Sequence, residues 1–107
     1  MNKKGKFIEV VSIRTYEVTE DGRKITKWVV KYLIEFDYPK RDGTMGKQQI
    51  LAEVHYTEKP NYVVGPLNDP NVYEMQFHFK VRRGKNRNGE DYIVQDITLY
   101  KASQSVI

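Results

Sequence analysis

The sequence predicts an all-β fold of five strands that form a small barrel or a strongly bent antiparallel sheet. Along most of the predicted strands, apolar and polar side chains alternate with the period of two that is typical of β-structure. Turn-forming residues separate these segments, and aromatic residues, which favour strands, make up 12% of the chain. An open sheet leaves unpaired edges that closure removes. We therefore expect a barrel or a strongly bent sheet rather than a flat, open one.

The predicted strands are bounded by turns. The second is the clearest, because β-branched and aromatic residues fill every second position from Trp28 to Phe36. Before it, Asp21-Gly22 predicts a hairpin turn. In the first strand, we expect Phe7, Val11 and Ile13 on one face and Val10 on the other. The five strands are placed at about residues 6–16, 25–38, 47–56, 72–83 and 91–101.

One domain, residues 1–107, is expected from the length of the chain. Pro60, Pro66 and Pro70 interrupt the connection between the third and fourth strands, so a helix there should be missing or reduced. Residues 102–107 are expected to form a loose tail. No apolar run is long enough to cross a membrane, and no secretory signal follows the lysine-rich start, so the expected location is the cytoplasm.

Composition and motifs argue against several classes of protein. The chain has no cysteine, which excludes disulfide frameworks, zinc ribbons and thiol nucleophiles. It also lacks the motifs of serine hydrolases, phosphate-binding loops and zinc proteases, so we expect no enzyme and no cofactor. His55 and His78 lie on separate predicted strands, and we interpret them as solvated side chains rather than as metal ligands.

Positive charge is concentrated within a net charge of +4. Residues 80–87 hold five cations and no acidic residue, and they join two predicted strands. Arginines in such a turn contact phosphate or stack on bases, and a lysine adds charge. The alternative is a solvated hairpin tip whose charges prevent edge pairing. Tyr92, just after the turn, is either a stacking platform or a cross-strand partner of Val81.

A second group of cations lies on the polar face of the second strand, where Lys27 and Lys31 flank Val29. Lys47 occupies the corresponding face of the third strand. If the two strands are neighbours, these side chains line a shallow basic groove; otherwise they are simply solvated. Trp28 lies on the opposite, apolar face, where packing in the core is the favoured interpretation.

The order of these features resembles that of OB-fold single-stranded-DNA-binding proteins. Residues 4–10 resemble the opening strand of small bacterial OB domains, and residues 21–24 precede a long second strand as they do there. Residues 77–83 and 88–97 resemble the last two strands with their basic hairpin. The Tyr-Pro-Lys element in residues 37–41 is similar to one in small uncharacterised OB-like proteins of Bacteroidetes.

The resemblance implies a non-catalytic protein that binds single-stranded DNA or RNA, DNA being the first expectation. In OB folds the ligand lies across strands two and three, between the loops that join strands one and two and strands four and five. Tyr32 or Trp28 would stack on bases only if the face assignment of the second strand were inverted. The implied binding residues on the strands and in the two loops are Arg14, Arg23, Lys27, Trp28, Lys31, Lys47, Arg83, Lys85, Arg87 and Tyr92.

A second hypothesis belongs to a different class. Long, tyrosine-rich antiparallel strands also occur in protein-interaction domains, for instance in an assembly component of a mobile-element or conjugation apparatus. The apolar character of both faces of the second strand suits an oligomer interface, and association into a homo-oligomer stays open. Oligonucleotide binding that depends on salt distinguishes the first hypothesis from the second.

Overall fold

The computed structural model describes residues 2–104, and within them the chain forms six β-strands and no helix. The all-β prediction is therefore confirmed. No segment of residues 2–104 is a helix that could cross a membrane. The strands are β1 (Asn2–Glu20), β2 (Arg23–Pro39), β3 (Met45–Tyr56), β4 (Gly65–Pro66), β5 (Tyr73–Lys85) and β6 (Asp91–Gln104).

The five long strands close into a barrel. Antiparallel ladders join β1 to β2, β2 to β3 and β5 to β6, and a short ladder joins β1 to β5. Closure is completed by β3 and β6, which run parallel and are bridged at Glu53 and Thr98. The order around the barrel is β1–β2–β3–β6–β5, so the sheet is mixed and the fold is an OB-like barrel. β4 is an additional strand paired with β1.

Two β-bulges change which side chains of β1 face the core. The ladder with β2 shifts register after Phe7 and again after Val10. Each extra residue reverses the alternation of the strand. Core-facing side chains therefore recur at every third residue, at Phe7, Val10 and Ile13. The prediction that Val11 shares a face with Phe7 and that Val10 lies opposite is wrong.

The core is built on the inward face of β2. Phe36 meets Phe77 edge-on, with 5.3 Å between ring centroids, and Phe7 lies 5.0 Å from Tyr32. The face of β2 predicted to be apolar is thus the buried one, and the ring of Tyr32 is enclosed in the core. The buried members of the core are Val10, Val30, Tyr32, Ile34, Phe36, Ala52, Met75, Phe77 and Leu99.

Residues 57–72, which connect β3 to β5, pack against the core without forming a helix. The backbone N–H of Leu67 donates to the carbonyl of Ile8 at 2.9 Å, and the Leu67 side chain joins the core. The Tyr62 ring meets Tyr32 edge-on at 5.9 Å. The expected lack of a helix between these strands is confirmed. The barrel closes without one.

Two hairpins extend beyond the closed part of the barrel. In residues 16–27, β1 and β2 pair only with each other, and in residues 79–97, β5 and β6 do the same. We call them the β1–β2 arm and the β5–β6 arm. Asp21 and Gly22 have φ of 51° and 76°, which confirms the predicted tight turn. Because β3 and β6 are parallel, the β2–β3 and β5–β6 turns lie at one end of this pair, and the β1–β2 turn lies at the other.

Strand pairing continues further than the sequence pattern predicts. β1 begins at Asn2 and extends to Glu20, so Arg14 lies well inside the strand and not near its end. β5 extends to Lys85, so Arg83 and Lys85 also belong to a ladder. Residues 102–104, expected to begin a loose tail, pair with β5. Residues 105–107 of that predicted tail lie outside the described residues.

Candidate nucleic-acid interface

The outer face of β2 and β3 carries the strip that the sequence predicts to be basic. The two strands are neighbours, as the groove hypothesis requires, but Lys31 lies opposite Glu53 and Lys47 lies opposite Asp37. Cross-strand pairs of opposite charge attract each other. The strip therefore alternates in charge, and the expectation of a purely basic strip is corrected.

Glu35 on β2 binds two polar side chains of the neighbouring strand, one of them the expected Lys47. Gln49 Nε2 and Lys47 Nζ each donate a hydrogen bond to its carboxylate at 3.1 Å. These bonds, the one from Gln49 foremost, lower the pKa of the Glu35 carboxyl, and the contact with Glu35 raises the pKa of Lys47. The Lys47 ion pair is exposed, so it costs little to exchange the carboxylate for a phosphate.

Arg14 is held on the outer face by a group of side chains around Val29. Arg14 Nη2 donates to Glu53 Oε2 at 2.6 Å, and Tyr16 Oη lies 3.2 Å from His55 Nδ1. Arg14 and His55 flank Val29 in the ladders, and Val29 is only 1% exposed. A guanidinium has five N–H donors, so Arg14 retains donors for a further acceptor.

A groove runs over the outer face where β3 meets β6. Arg82 donates two hydrogen bonds to the Asp96 carboxylate, which lower the pKa of that carboxyl. The groove is lined by three cationic side chains and two carboxylates. Its lining therefore has a formal charge of +1 when the histidines are counted as neutral. The lining residues are Arg14, Glu53, His55, His78, Lys80, Arg82, Asp96 and Thr98.

Arg83 and Lys85 share one face of the β5–β6 arm, and Arg87 lies at its tip. Arg87 lies in the exposed turn. Lys85 Nζ lies 3.2 Å from a carboxylate oxygen of Asp91, and both side chains are largely exposed. Arg83 is opposite Ile93, on the face of the arm that continues the core side of the barrel. A nucleic-acid strand that contacts the arm here therefore meets positive charge on its core-side face and at the turn.

Tyr92 has Gly84, not Val81, as its cross-strand partner. A Cβ atom at residue 84 would lie 2.5 Å from Tyr92 Oη and 2.6 Å from Cζ, so only glycine leaves room for the phenol there. Tyr92 is nevertheless 43% exposed, on the same face of the arm as Lys80 and Arg82. The glycine thus makes room for an accessible aromatic ring on a face that also carries cations.

Three predicted residues lie away from this group. Arg23 is exposed beside the β1–β2 turn, and Lys27 Nζ lies 3.6 Å from a carboxylate oxygen of Glu20 in the same arm. Trp28 is half-buried opposite Tyr56, on the core side of β2. The β1–β2 turn and the β5–β6 turn are at opposite ends of the barrel. The ten predicted residues therefore do not form one continuous site.

The implied binding residues did not include three side chains of the groove, although two of them belong to the basic segment 80–87. His78, Lys80 and Arg82 alternate along the outer face of β5. Their alternation is visible in the sequence. The sequence does not reveal the parallel pairing of β3 with β6, which brings the outer face of β5 next to the groove.

These features define a small OB-like barrel with a cation-rich outer groove and an exposed tyrosine on its β5–β6 arm. No known protein-family model matches the chain, and a comparison with curated proteins finds no similar sequence. Within residues 2–104, no three histidine, aspartate or glutamate side chains are grouped to hold a metal ion. A function is therefore argued from the site itself.

The acidic partners in the groove predict a pH dependence of stability. The pKa of Asp96 is lowered in the folded protein, so its pairing with Arg82 stabilises the fold above the unfolded-state pKa of about 3.9 and is lost as the pH falls through the folded value. We expect the midpoint of urea unfolding to fall less steeply between about pH 5 and pH 3 in Asp96→Asn than in the unmodified protein. Equal slopes would contradict this assignment.

Proposed function

We propose that the protein binds single-stranded nucleic acid, with DNA as the first expectation, across the outer groove and along the β5–β6 arm. The proposal includes no catalytic step. The observation that carries it is the Tyr92 ring, which lies against Gly84 on the same face as Lys80 and Arg82. An aromatic ring beside cations offers a base a stacking surface and its phosphates a counter-charge.

The architecture supports this proposal independently of the individual side chains. OB folds bind oligonucleotides on the face of strands two and three and between the loops that flank it. In this chain, Arg14 on β1 and Arg82 on β5 line one groove that lies beside that face, where β3 meets β6. A single strand of nucleic acid lying in this groove would contact cations from both β1 and β5.

The test is fluorescence anisotropy of a labelled poly-dT oligonucleotide at two salt concentrations. We expect tight binding at low salt that weakens sharply at high salt, since each phosphate contact contributes about 0.7 to the log–log slope for single strands. Tyr92→Ala should lose about 1–3 kcal/mol of binding free energy. Tyr100→Ala is the matched control, because Tyr100 is also exposed on β6 but donates its hydroxyl to Gln76. Salt-independent or absent binding would refute the proposal.

Removing one carboxylate from the groove should strengthen binding. Glu53 accepts from Arg14 at 2.6 Å and lies opposite Lys31. In Glu53→Gln, both cations lose a competing anion, so we expect a lower Kd and a steeper salt dependence in the anisotropy titration. Gln48→Glu adds a charge and is therefore not a suitable control. The control is Glu17→Gln, because Glu17 is exposed in the β1–β2 arm and its substitution removes the same charge away from the groove. Equal effects of Glu53→Gln and Glu17→Gln would indicate net charge alone.

One observation favours the alternative of a protein-interaction or assembly domain. Phe79, Val81 and Ile93 are exposed on the core side of the β5–β6 arm, where the core itself no longer covers them. Exposed apolar groups of this kind mark contact surfaces when they are contiguous. Mass that rises with concentration in sedimentation experiments, together with no salt-sensitive oligonucleotide binding, would favour this alternative.

A further inference from the structure

The β2–β3 hairpin contains a second tyrosine packed against a glycine. Tyr38 is directly opposite Gly46 in the ladder. A Cβ atom at residue 46 would lie 2.9 Å from Tyr38 Cζ and 3.0 Å from Cε1, and 2.6 Å from Lys40 Cε. Gly46 is buried beneath these side chains, whereas Tyr38 itself is 37% exposed. The glycine therefore lets the Tyr38 ring lie against the opposite strand while part of the ring stays accessible.

This arrangement repeats the one in the β5–β6 arm at the same distance from its turn. Tyr38–Gly46 is the second cross-strand pair from the β2–β3 turn, and Gly84–Tyr92 is the second pair from the β5–β6 turn. The turns also match in geometry. In each, the backbone N–H of the first residue donates to the carbonyl of the fifth, at 2.8 Å from Lys40 to Thr44 and at 3.0 Å from Asn86 to Glu90.

Both turns present positive charge at the same end of the barrel. Lys40 and Arg41 are exposed in the β2–β3 turn, as Arg87 is in the β5–β6 turn. The two turns precede β3 and β6, which run parallel, so they lie at the same end of this pair. Tyr38 continues the core-side series of β2, whereas Tyr92 lies on the outer face of its arm. A ligand that contacts both rings must cross this end of the barrel.

We propose that Tyr38, together with Lys40 and Arg41, is a second base-stacking position for the same single strand of nucleic acid. The inference rests on the proposed function and names a contact outside the outer groove. Each ring already lies in this position in the protein without a ligand, so binding requires little rearrangement of the ring. A flexible single strand can turn over the end of the barrel, whereas a stiff duplex cannot present unstacked bases to both rings.

The test compares oligonucleotides of two lengths. OB folds occupy about 4–16 nucleotides, so a strand of about 4 nucleotides should engage one ring and a strand of about 16 should reach both. We expect Tyr38→Ala to weaken binding of the long strand by about 5- to 150-fold and to change binding of the short strand much less. Tyr38→Phe should retain most of the affinity, because it keeps the ring.

A second variant separates loss of the ring from loss of its position. Gly46→Ala keeps Tyr38 but adds a Cβ atom where the ring lies, so it should also weaken binding of the long strand. Tyr100→Ala is again the control, and circular dichroism verifies folding of each variant. Tyr38→Ala with unchanged binding, while Tyr92→Ala is weakened, would overturn this inference and leave the proposed function intact. No salt-dependent binding by the unmodified protein would overturn both.

Discussion

Ile34→Ala is expected to lower the free energy of unfolding by about 2–5 kcal/mol, as large-to-small substitutions in closely packed cores do. Ile34 is 0% exposed at the middle of β2, and its ladder partners are Phe7 on β1 and Ile50 on β3. Removing its side chain leaves a cavity that the paired strands on both sides prevent from collapsing. Chemical denaturation at constant temperature measures the change.

The matched control for this substitution is Leu51→Ala. Leu51 is on β3 and lies opposite Leu33 on the outer face, where it is 48% exposed. Its truncation removes a similar volume without opening a core cavity, so the loss should be well below that of Ile34→Ala. Comparable losses at the two positions would contradict the assignment of the even-numbered side chains of β2 to the core.

The inward face of β2 was predictable because one physical signal dominates this strand. Apolar residues fill every second position from Trp28 to Phe36, and burial follows the same period from Val30 to Phe36. β1 could not be assigned in this way, since its bulges follow Phe7 and Val10 and arise from its pairing partners. A period read from a single strand does not reveal a register shift imposed by another strand.

The sequence predicts that the candidate site contains cations, but it does not predict which carboxylates they pair with. The sequence identifies Lys47 and Arg14 as available cations, whereas the structure pairs them with Glu35 and Glu53. These partners are 12 and 39 residues away along the chain and become neighbours only through strand register. The sequence therefore gives the number of cations on a surface. It does not give the net charge of that surface, which depends on the carboxylates that the fold places beside them.

The stacking positions depend on register in the same way. Tyr92 was recognised because it directly follows a basic turn, but Tyr38 was not, although it precedes one. What distinguishes both rings is the glycine directly across the ladder, Gly84 or Gly46. A tyrosine and a glycine separated by a turn are common in sequences, and only their pairing gives the ring a fixed position.

The salt dependence of binding should decide which end of the barrel holds the nucleic acid. In the double variant Arg83→Ala, Arg87→Ala, we expect weaker binding and a log–log salt slope that is less steep by about 1.4, from two lost contacts at about 0.7 each. Arg87 lies in the β5–β6 turn and Arg83 is exposed on the adjoining arm. Anisotropy titrations with poly-dT at several salt concentrations give the slope directly.

The control carries the same loss of charge at the other end of the molecule. Arg23 and Lys24 are exposed beside the β1–β2 turn, which lies at the opposite end of the strands from the β5–β6 turn. Arg23→Ala with Lys24→Ala should lower affinity only slightly and leave the slope almost unchanged, because distant exposed charges are screened by salt. If both double variants reduce the salt slope equally, the ligand reaches both ends of the barrel and the predicted role of Arg23 stands. If only the Arg23 variant loses it, the β5–β6 arm is not part of the site.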